Sequence, residues 1–362
     1  SRNTGINRLL KKLLLACVCV AVLASAGSGL WVWQGLQGLK KPVVLEEPLL
    51  FDVPQGSSFI EVVGRLEAEG LVSDRLWLRL YGRLEPEQTR SKAGQYEFRD
   101  GMSPRDMIGV MVSGDTKHWY VQFIEGWTFK DMRAALAQAE RLQKITGEWT
   151  SAQVMAAVGA EGEHPEGRFF PDTYAFTSSE TDLDLLKRAF NRMETVLAEE
   201  WAAREEGLPY DNPYEALIMA SIVERETGAP HEREQVAGVF VRRLQKGMRL
   251  QTDPTVIYGM GDSYQGRIGR KDLRTHTPYN TYRINGLPPT PIALPGREAI
   301  HAALHPDDGD ALYFVARGDG THKFSRTLAE HQKAVREFQL NRREDYRSSP
   351  APKNSDSDED AG

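Results

Sequence analysis

The sequence predicts an α+β protein with an N-terminal transmembrane helix, a small β/α subdomain, and a mainly helical domain with long Gly/Pro/Asn-rich loops. Three observations carry this. An uncharged apolar run stands near the N-terminus. A strand–Gly–hydroxyl–helix pattern then recurs three times. From Pro171 onward helical periodicity dominates.

The apolar run extends from Leu13 to Trp33. At about 1.5 Å per residue it reaches roughly 32 Å, enough for a bilayer core of about 30 Å. Arg2, Arg8, Lys11 and Lys12 precede it, which keeps the N-terminus cytoplasmic and exports the body. Lys40 and Lys41 weaken that asymmetry without reversing it, and Trp31 and Trp33 fall where an interfacial aromatic belt would lie. Two alternatives compete. Ala24-Ser25-Ala26 resembles a signal-peptide cleavage site, and Leu14-Leu15-Ala16-Cys17 loosely resembles a lipoprotein box. Both still export the body.

Composition narrows the rest. The chain has 362 residues, 40% hydrophobic and 27% charged, with a formal net charge of −6. That balance argues against nucleic acid as a partner, which wants a basic face. Cys17 and Cys19 both lie in the apolar run. The exported part therefore offers no disulfide framework, thiolate metal site or thiol nucleophile.

Residues 34–50 read as a linker. The three repeat units begin at Phe51, Tyr96 and Val121. Each runs from a short alternating strand through Gly56, Gly101 or Gly126 to Ser58, Ser103 or Thr128, with an acid three residues later. That last spacing is a capping box, which starts a helix. Helices are expected over Val62–Leu66, Met107–Met111 and Met132–Leu136. The pattern looks like the small LysM-type glycan-binding module, placed at residues 51–140. An efficient β-to-α connection is the plainer alternative. Further helices are expected at Leu185–Glu205, Pro213–Glu226, His231–Gly247, Ala299–Leu304 and Leu328–Tyr346, with a buried strand at Tyr313–Ala316. Residues 347–362 are Ser/Asp-rich and expected to be a disordered acidic tail.

HExxH, GxSxG, P-loop and dinucleotide fingerprints are absent from the sequence. His301 and His305 are i,i+4 neighbours but lack a carboxylate at zincin spacing, so neither a metal nor another cofactor is expected. The most informative helix begins at Asn212, a good N-cap, with Pro213 at the first helical position. Glu215 would complete a capping box and Gly228 would end the helix in a left-handed turn. Leu217, Ala220 and Ser221 lie seven, four and three residues before Glu224 and share its face. Glu226 would point to solvent. Glu224 is then a carboxyl on a mostly apolar stripe, where desolvation raises the pKa towards the value a general acid needs. The plainer alternative is a helix-end Glu paired with Arg225 or Arg243. Two loop segments, Leu250–Gly259 and Thr277–Pro289, are dense in amides, hydroxyls and aromatic rings, the groups that bind sugars. An ordered loop tied down by Asx-turns would look the same.

Four stretches resemble the YceG-like family of endolytic murein transglycosylases: Glu166-Gly-Arg-Phe-Phe-Pro-Asp-Thr-Tyr174, Ala220-Ser-Ile-Val-Glu224-Arg-Glu-Thr, Arg249 through Gly261, and Thr277-Pro-Tyr-Asn-Thr-Tyr282 with Gly286-Leu-Pro-Pro289. The likeness covers about residues 40–345 and implies a catalytic domain at 141–346. It puts the catalytic glutamate in the Ser-Ile-Val-Glu segment, on Glu224, with Glu166, Ser221, Gln251, Asp253, Tyr279, Asn280 and Tyr282 as substrate-binding candidates. It implies a lytic cut of the MurNAc–GlcNAc β-1,4 bond that leaves 1,6-anhydroMurNAc ends and terminates nascent strand elongation. Peptidoglycan glycan strands, inner-membrane lipid and cell-wall synthases are the implied partners. The implied place is a single-pass inner-membrane anchor with the catalytic domain in the periplasm. Thr290 and Leu294 stand where Gly and Asn are expected, and Arg168 where an apolar residue is expected. A hydrolytic muramidase, with Asp253 or Glu166 holding a water, and a non-catalytic glycan-binding scaffold are the rival readings.

Overall fold

The computed structural model describes residues 2–340. The predicted tail, residues 347–362, lies outside the described residues. Helix α1 (Arg2–Gly38) contains the apolar run, and its Lys11–Gly38 portion, with a mean hydropathy of 2.3 at its most apolar, is long and apolar enough to cross a membrane. The chain divides into two compact units between Trp119 and Tyr120, with α1 in the first and residues 177–179 joining it.

In the first unit β1 (Leu49–Val53) leads to α2 (Phe59–Ala68) and α3 (Arg75–Leu84), and β2 (Gly94–Phe98) leads to α4 (Pro104–Ser113). The strands pair antiparallel, with Phe51 opposite Tyr96 and Leu49 opposite Phe98. Alternation turns Phe51, Val53, Tyr96 and Phe98 inward, where they meet Val62, Leu66, Leu78, Met107 and Met111. Burying each such side chain contributes about 1.5–3 kcal/mol. The expected linker is packed rather than free. Leu39 is 5% exposed in this core, and Val43 exchanges backbone hydrogen bonds with residues 101 and 102, at 3.1 and 2.9 Å. Trp31, expected at a lipid interface, stands 4.7 Å from the Trp77 ring of α3. Gly35 lets the helix approach, because a Cβ there would overlap that ring.

The second unit continues the strand–turn–helix pattern with β3 (Trp119–Gln122) and α5 (Phe129–Gln138), then α6 (Ser151–Val158) and β4 (Thr173–Phe176), which pairs with β3. All three predicted capping boxes form: Ser58 with Glu61, Ser103 with Asp106, and Thr128 with Asp131. The third unit thus lies beyond the division at residue 119. Helices α7 (Asp182–Ala202), α8 (Pro213–Glu226), α9 (Arg233–Gln245), α10 (Asp253–Met260), α11 (Arg270–Arg274) and α12 (Arg297–Leu304) follow. The hairpin β5 (Tyr313–Ala316) and β6 (His322–Ser325) and helix α13 (Leu328–Val335) close the unit.

Several expectations change here. The expected loop Leu250–Gly259 is mostly helix: Thr252 and Pro254 begin α10, and α11 follows. In β5 only Val315 is buried. The last helix passes from α13 into a π-turn at Arg336–Leu340, and residues 341–346 lie outside the described residues. Asn212 does cap α8, accepting from the Glu215 N–H at 3.1 Å, but Glu215 reaches the Asp211 N–H instead of closing a box. The helix ends on Thr227 in extended backbone, not on a left-handed Gly228, and the buried Thr227 hydroxyl then accepts the Ala229 N–H at 3.0 Å. Most consequential, α8 is buried all round: Ala216 through Val223 are buried without a break. It is a central helix rather than a surface one with a single apolar stripe.

Candidate active site

Because neighbours enclose α8, its last turn places two carboxyls in protein surroundings. The Glu224 side chain is 7% exposed. Its Oε2 accepts the Gly296 N–H at 2.9 Å, and Oε1 lies 3.8 Å from the Arg233 guanidinium. Burial raises its pKa, the Gly296 bond opposes that, Glu125 adds to it and Arg233 opposes it. Gly296 is the N-cap of α12, and a Cβ there would strike Glu125. Glu224 therefore pins the start of α12 against α8. The expected alternative partners lie elsewhere: Arg225 donates to the Gly126 carbonyl at 3.0 Å, and Arg243 to Arg249, Leu312 and Gln251.

Glu226, expected in solvent, is half-buried on the other side of α8 and accepts the Thr252 hydroxyl. Removal from water pushes its carboxyl up to about 7, the Thr252 bond opposes this and the Asp253 charge adds to it. The signal for it was in the sequence. Ile222 and Val223 lie four and three residues before Glu226, the same spacing that singled out Glu224.

Glu226 lines a cavity of about 530 Å³ together with Gln251, Asp253 and Tyr282, three of the predicted binding residues. That volume is within the usual range for a small-ligand site. The Tyr282 hydroxyl donates to Asp253 Oδ1 at 2.7 Å, and Arg243 donates to Gln251 Oε1 at 2.5 Å. Gln251 has φ 53°, the one non-glycine residue with positive φ among the described residues. Such strain persists only where surroundings over-determine it, and it clusters at functional sites. Tyr313, Phe314 and His322 of the β5–β6 hairpin also line it, as do Arg243 of α9 and His331 of α13.

The other predicted residues are not on this cavity. Ser221 is fully buried: its hydroxyl donates to the Ile218 carbonyl at 2.7 Å and accepts the Ile292 N–H at 3.0 Å. Asn280, 1% exposed, donates to the carbonyls of Asp272, Leu273 and Thr275 and accepts the Tyr282 N–H. Glu166 is 4% exposed and accepts the Phe129 N–H at 2.9 Å and the Tyr258 hydroxyl at 3.0 Å. Burial pushes it up to about 7 against those bonds. Tyr279 packs its ring 4.9 Å from Tyr258 and shares a 2.8 Å hydrogen bond with Thr290. These four tie loops to the core.

The departures are also accommodated. Arg168 is buried between Glu163 and Glu194, beneath the Phe190 and Tyr214 rings. Leu294 is buried and exchanges backbone hydrogen bonds with the 126–127 turn, at 2.9 and 2.7 Å. The carboxylate missing beside His301 and His305 in sequence comes from α7: the three side chains of Glu200, His301 and His305 lie close enough to share an ion. Glu200 is already engaged, by Arg297 at 2.7 Å and His301 at 2.8 Å.

A carboxyl that holds its proton near neutrality, in a cavity walled by amide, phenol and carboxylate groups, is the arrangement that general acid catalysis requires. The chain belongs to the YceG-like family, whose sequence profile matches residues 51–337. It is 31% identical over 304 residues to the endolytic murein transglycosylase of Bacillus subtilis (strain 168), covering 79% of this chain and 84% of that one. It is 27% identical over 319 residues to the endolytic murein transglycosylase of Streptococcus pneumoniae serotype 2, covering 79% of this chain and 57% of the relative. A yceG-like protein of Listeria monocytogenes, known from a crystal structure, matches at 30% identity and a TM-score of 0.49, covering 80% of this chain and 100% of that one.

Proposed function

We propose that this chain is a membrane-anchored lytic transglycosylase of peptidoglycan glycan strands, with Glu226 as its acid/base. Family membership and the activity named for the relatives support the reaction class. One observation carries the residue: the Glu226 carboxyl, raised to about 7, shares its cavity with Gln251, Asp253 and Tyr282. Arg2, Arg8, Lys11 and Lys12 before the apolar helix support a body exported to the periplasmic face of the inner membrane. Residues 51–140 would add glycan contacts as a LysM-like region. Termination of growing strands beside cell-wall synthases is the role that fits an endolytic enzyme anchored there.

In the proposed reaction, protonated Glu226 gives its proton to the oxygen bridging MurNAc C1 and GlcNAc C4, and the C1–O bond breaks. The Asp253 carboxylate, held by Tyr282, offers negative charge to the cation-like centre. Ionised Glu226 then takes the proton of the MurNAc 6-hydroxyl as that oxygen bonds to C1. The product is a 1,6-anhydroMurNAc end, and Glu226 regains its proton. No water is consumed and no covalent enzyme intermediate is needed, unlike the usual two-carboxylate route.

A second reading keeps Glu224 as the acid, and its buried, raised carboxyl favours it. Against it stand the Gly296 N–H, which Oε2 accepts at 2.9 Å, and the Arg233 guanidinium 3.8 Å from Oε1, whose charge favours the ionised form. Mass spectrometry of glycan strands digested by the wild-type, Glu224→Gln and Glu226→Gln proteins tests the proposal. Anhydro ends from the wild type and from Glu224→Gln, with intact strands from Glu226→Gln, are expected. Reducing ends would indicate a muramidase that uses water held by Asp253, and intact strands from the wild type would indicate a scaffold.

A further inference from the structure

The cavity that holds Glu226 is also lined by His322, a residue on β6 that neither the helix nor the loop motifs pointed to. His322 is 8% exposed. Its Nδ1 lies 2.8 Å from Glu232 Oε2, and its backbone N–H donates to Glu232 Oε1 at 2.9 Å. One carboxylate, in the turn before α9, thus holds both ends of the residue. Phe314 stands edge-on to the imidazole at 5.3 Å and Phe324 lies at 6.4 Å, and the two phenyl rings, themselves 5.9 Å apart, pack against it together. A carboxylate can only accept, so Nδ1 carries the hydrogen, and in the neutral imidazole Nε2 keeps a lone pair. Among the described residues Nε2 has no hydrogen-bond partner. His322 lines the cavity and Glu232 does not. With Nδ1 engaged by Glu232, Nε2 is the ring nitrogen left for a ligand.

We propose that His322 Nε2 accepts a hydrogen bond from a hydroxyl or acetamido N–H of the glycan bound in this cavity, and that Glu232 is the positioning residue that fixes the tautomer. The assignment rests on the proposed reading of this cavity as the glycan site. It gives the site an acceptor on the hairpin, in the same cavity as the acid on α8 and the pair of Asp253 on α10 with Tyr282. A sugar ring there presents hydroxyls in several directions, and one wall of carboxyls alone cannot satisfy them. The acceptor must also be neutral-sited and rigid, because each freely turning side chain adds an ordering cost on binding.

Three substitutions in the full-length protein separate this role from a structural one. An Asn side chain at 322 reaches as far as Nδ1, so His322→Asn keeps a donor for Glu232 and removes the Nε2 acceptor. A Gln reaches the Nε2 position, so His322→Gln returns an acceptor oxygen. Glu232→Gln turns a donor amide towards Nδ1, which drives the hydrogen to Nε2 and converts the acceptor to a donor. His322→Asn and Glu232→Gln are expected to lower kcat/KM on purified peptide-free glycan strands on the order of tenfold, the size of one lost hydrogen bond. His322→Gln should recover a measurable part. Added to Glu226→Gln, His322→Asn should raise the Kd for the same strands by a similar factor. A purely structural pair would show lower melting temperatures, kcat/KM within twofold of wild type in the folded protein, and no recovery by Gln; that result overturns the assignment. An inactive Glu226→Gln beside fully active His322→Asn and Glu232→Gln removes the His322 role alone. A fully active Glu226→Gln removes the cavity reading beneath it.

Discussion

Glu224 and Glu226 sit two residues apart on α8, and their carboxyls leave on opposite sides: one accepts the Gly296 N–H at 2.9 Å, the other the Thr252 hydroxyl. The first closes a contact between helices. The second opens onto the cavity with Gln251, Asp253 and Tyr282. Both are raised by burial, so basicity alone does not distinguish them. The cavity is what sets Glu226 apart in the proposed reading, because an acid must come within about 3 Å of the oxygen it protonates.

The raised pKa of Glu226 has a stability consequence. Its folded value, about 7, lies above the 4.5 of an ordinary Glu. The folded state therefore holds the proton more tightly. Its contribution is fully present below pH about 4.5 and is lost as pH rises through about 7. Glu226→Gln cannot ionise, so it should gain on the wild type across that window, by at most about 3 kcal/mol. Urea unfolding of both proteins from pH 5 to pH 8 measures this. A difference that stays flat with pH would mean that Glu226 is ordinarily hydrated.

Ser221 is expected to matter for stability and not for turnover. Removing its hydroxyl leaves the Ile292 N–H unpaired in a fully buried place. Ser221→Ala should cost about 1–3 kcal/mol, seen as an earlier urea midpoint. The folded variant should keep its kcat/KM. A large loss of kcat/KM with unchanged stability would return Ser221 to the substrate.

The packed juxtamembrane segment limits where a soluble fragment can begin. A fragment starting at Lys41 loses Leu39, whose side chain is buried and whose carbonyl accepts the Arg105 N–H at 3.1 Å. A fragment starting at Gln34 keeps both. The shorter one should be less stable by about 2–3 kcal/mol, the worth of one buried Leu with its hydrogen bond. Equal melting temperatures would show that Leu39 contributes nothing outside a membrane.

Features set by local spacing were legible in the sequence. The three capping boxes need only a hydroxyl and an acid three residues apart, and all three formed. Asn212 and Pro213 marked the start of α8 for the same reason. What depended on distant chain was not legible. Glu226 was assigned to solvent on the premise that α8 has one buried face; Ile222 and Val223 marked a second one, but only the packing of distant helices shows Ala216 through Val223 buried without a break. Ser221 and Asn280 carry groups suited to sugars, yet the Ile292 N–H and three loop carbonyls claim them. Thr252 and Pro254 had the start signals of a helix inside what read as a loop. The partnership of Glu232 with His322 spans 90 residues, beyond any local pattern.

The assignment of the acid stands on one comparison. Purified full-length Glu224→Gln and Glu226→Gln proteins, each first shown to be folded, are incubated with glycan strands, and the rate of 1,6-anhydro end formation is followed by mass spectrometry. Loss of a general acid should slow Glu226→Gln by about 10²–10⁴-fold. Glu224→Gln should remain within about tenfold of the wild type, since its amide oxygen can still accept the Gly296 N–H. The reverse ranking, with Glu226→Gln active and Glu224→Gln silent, would move the chemistry to the other side of the helix.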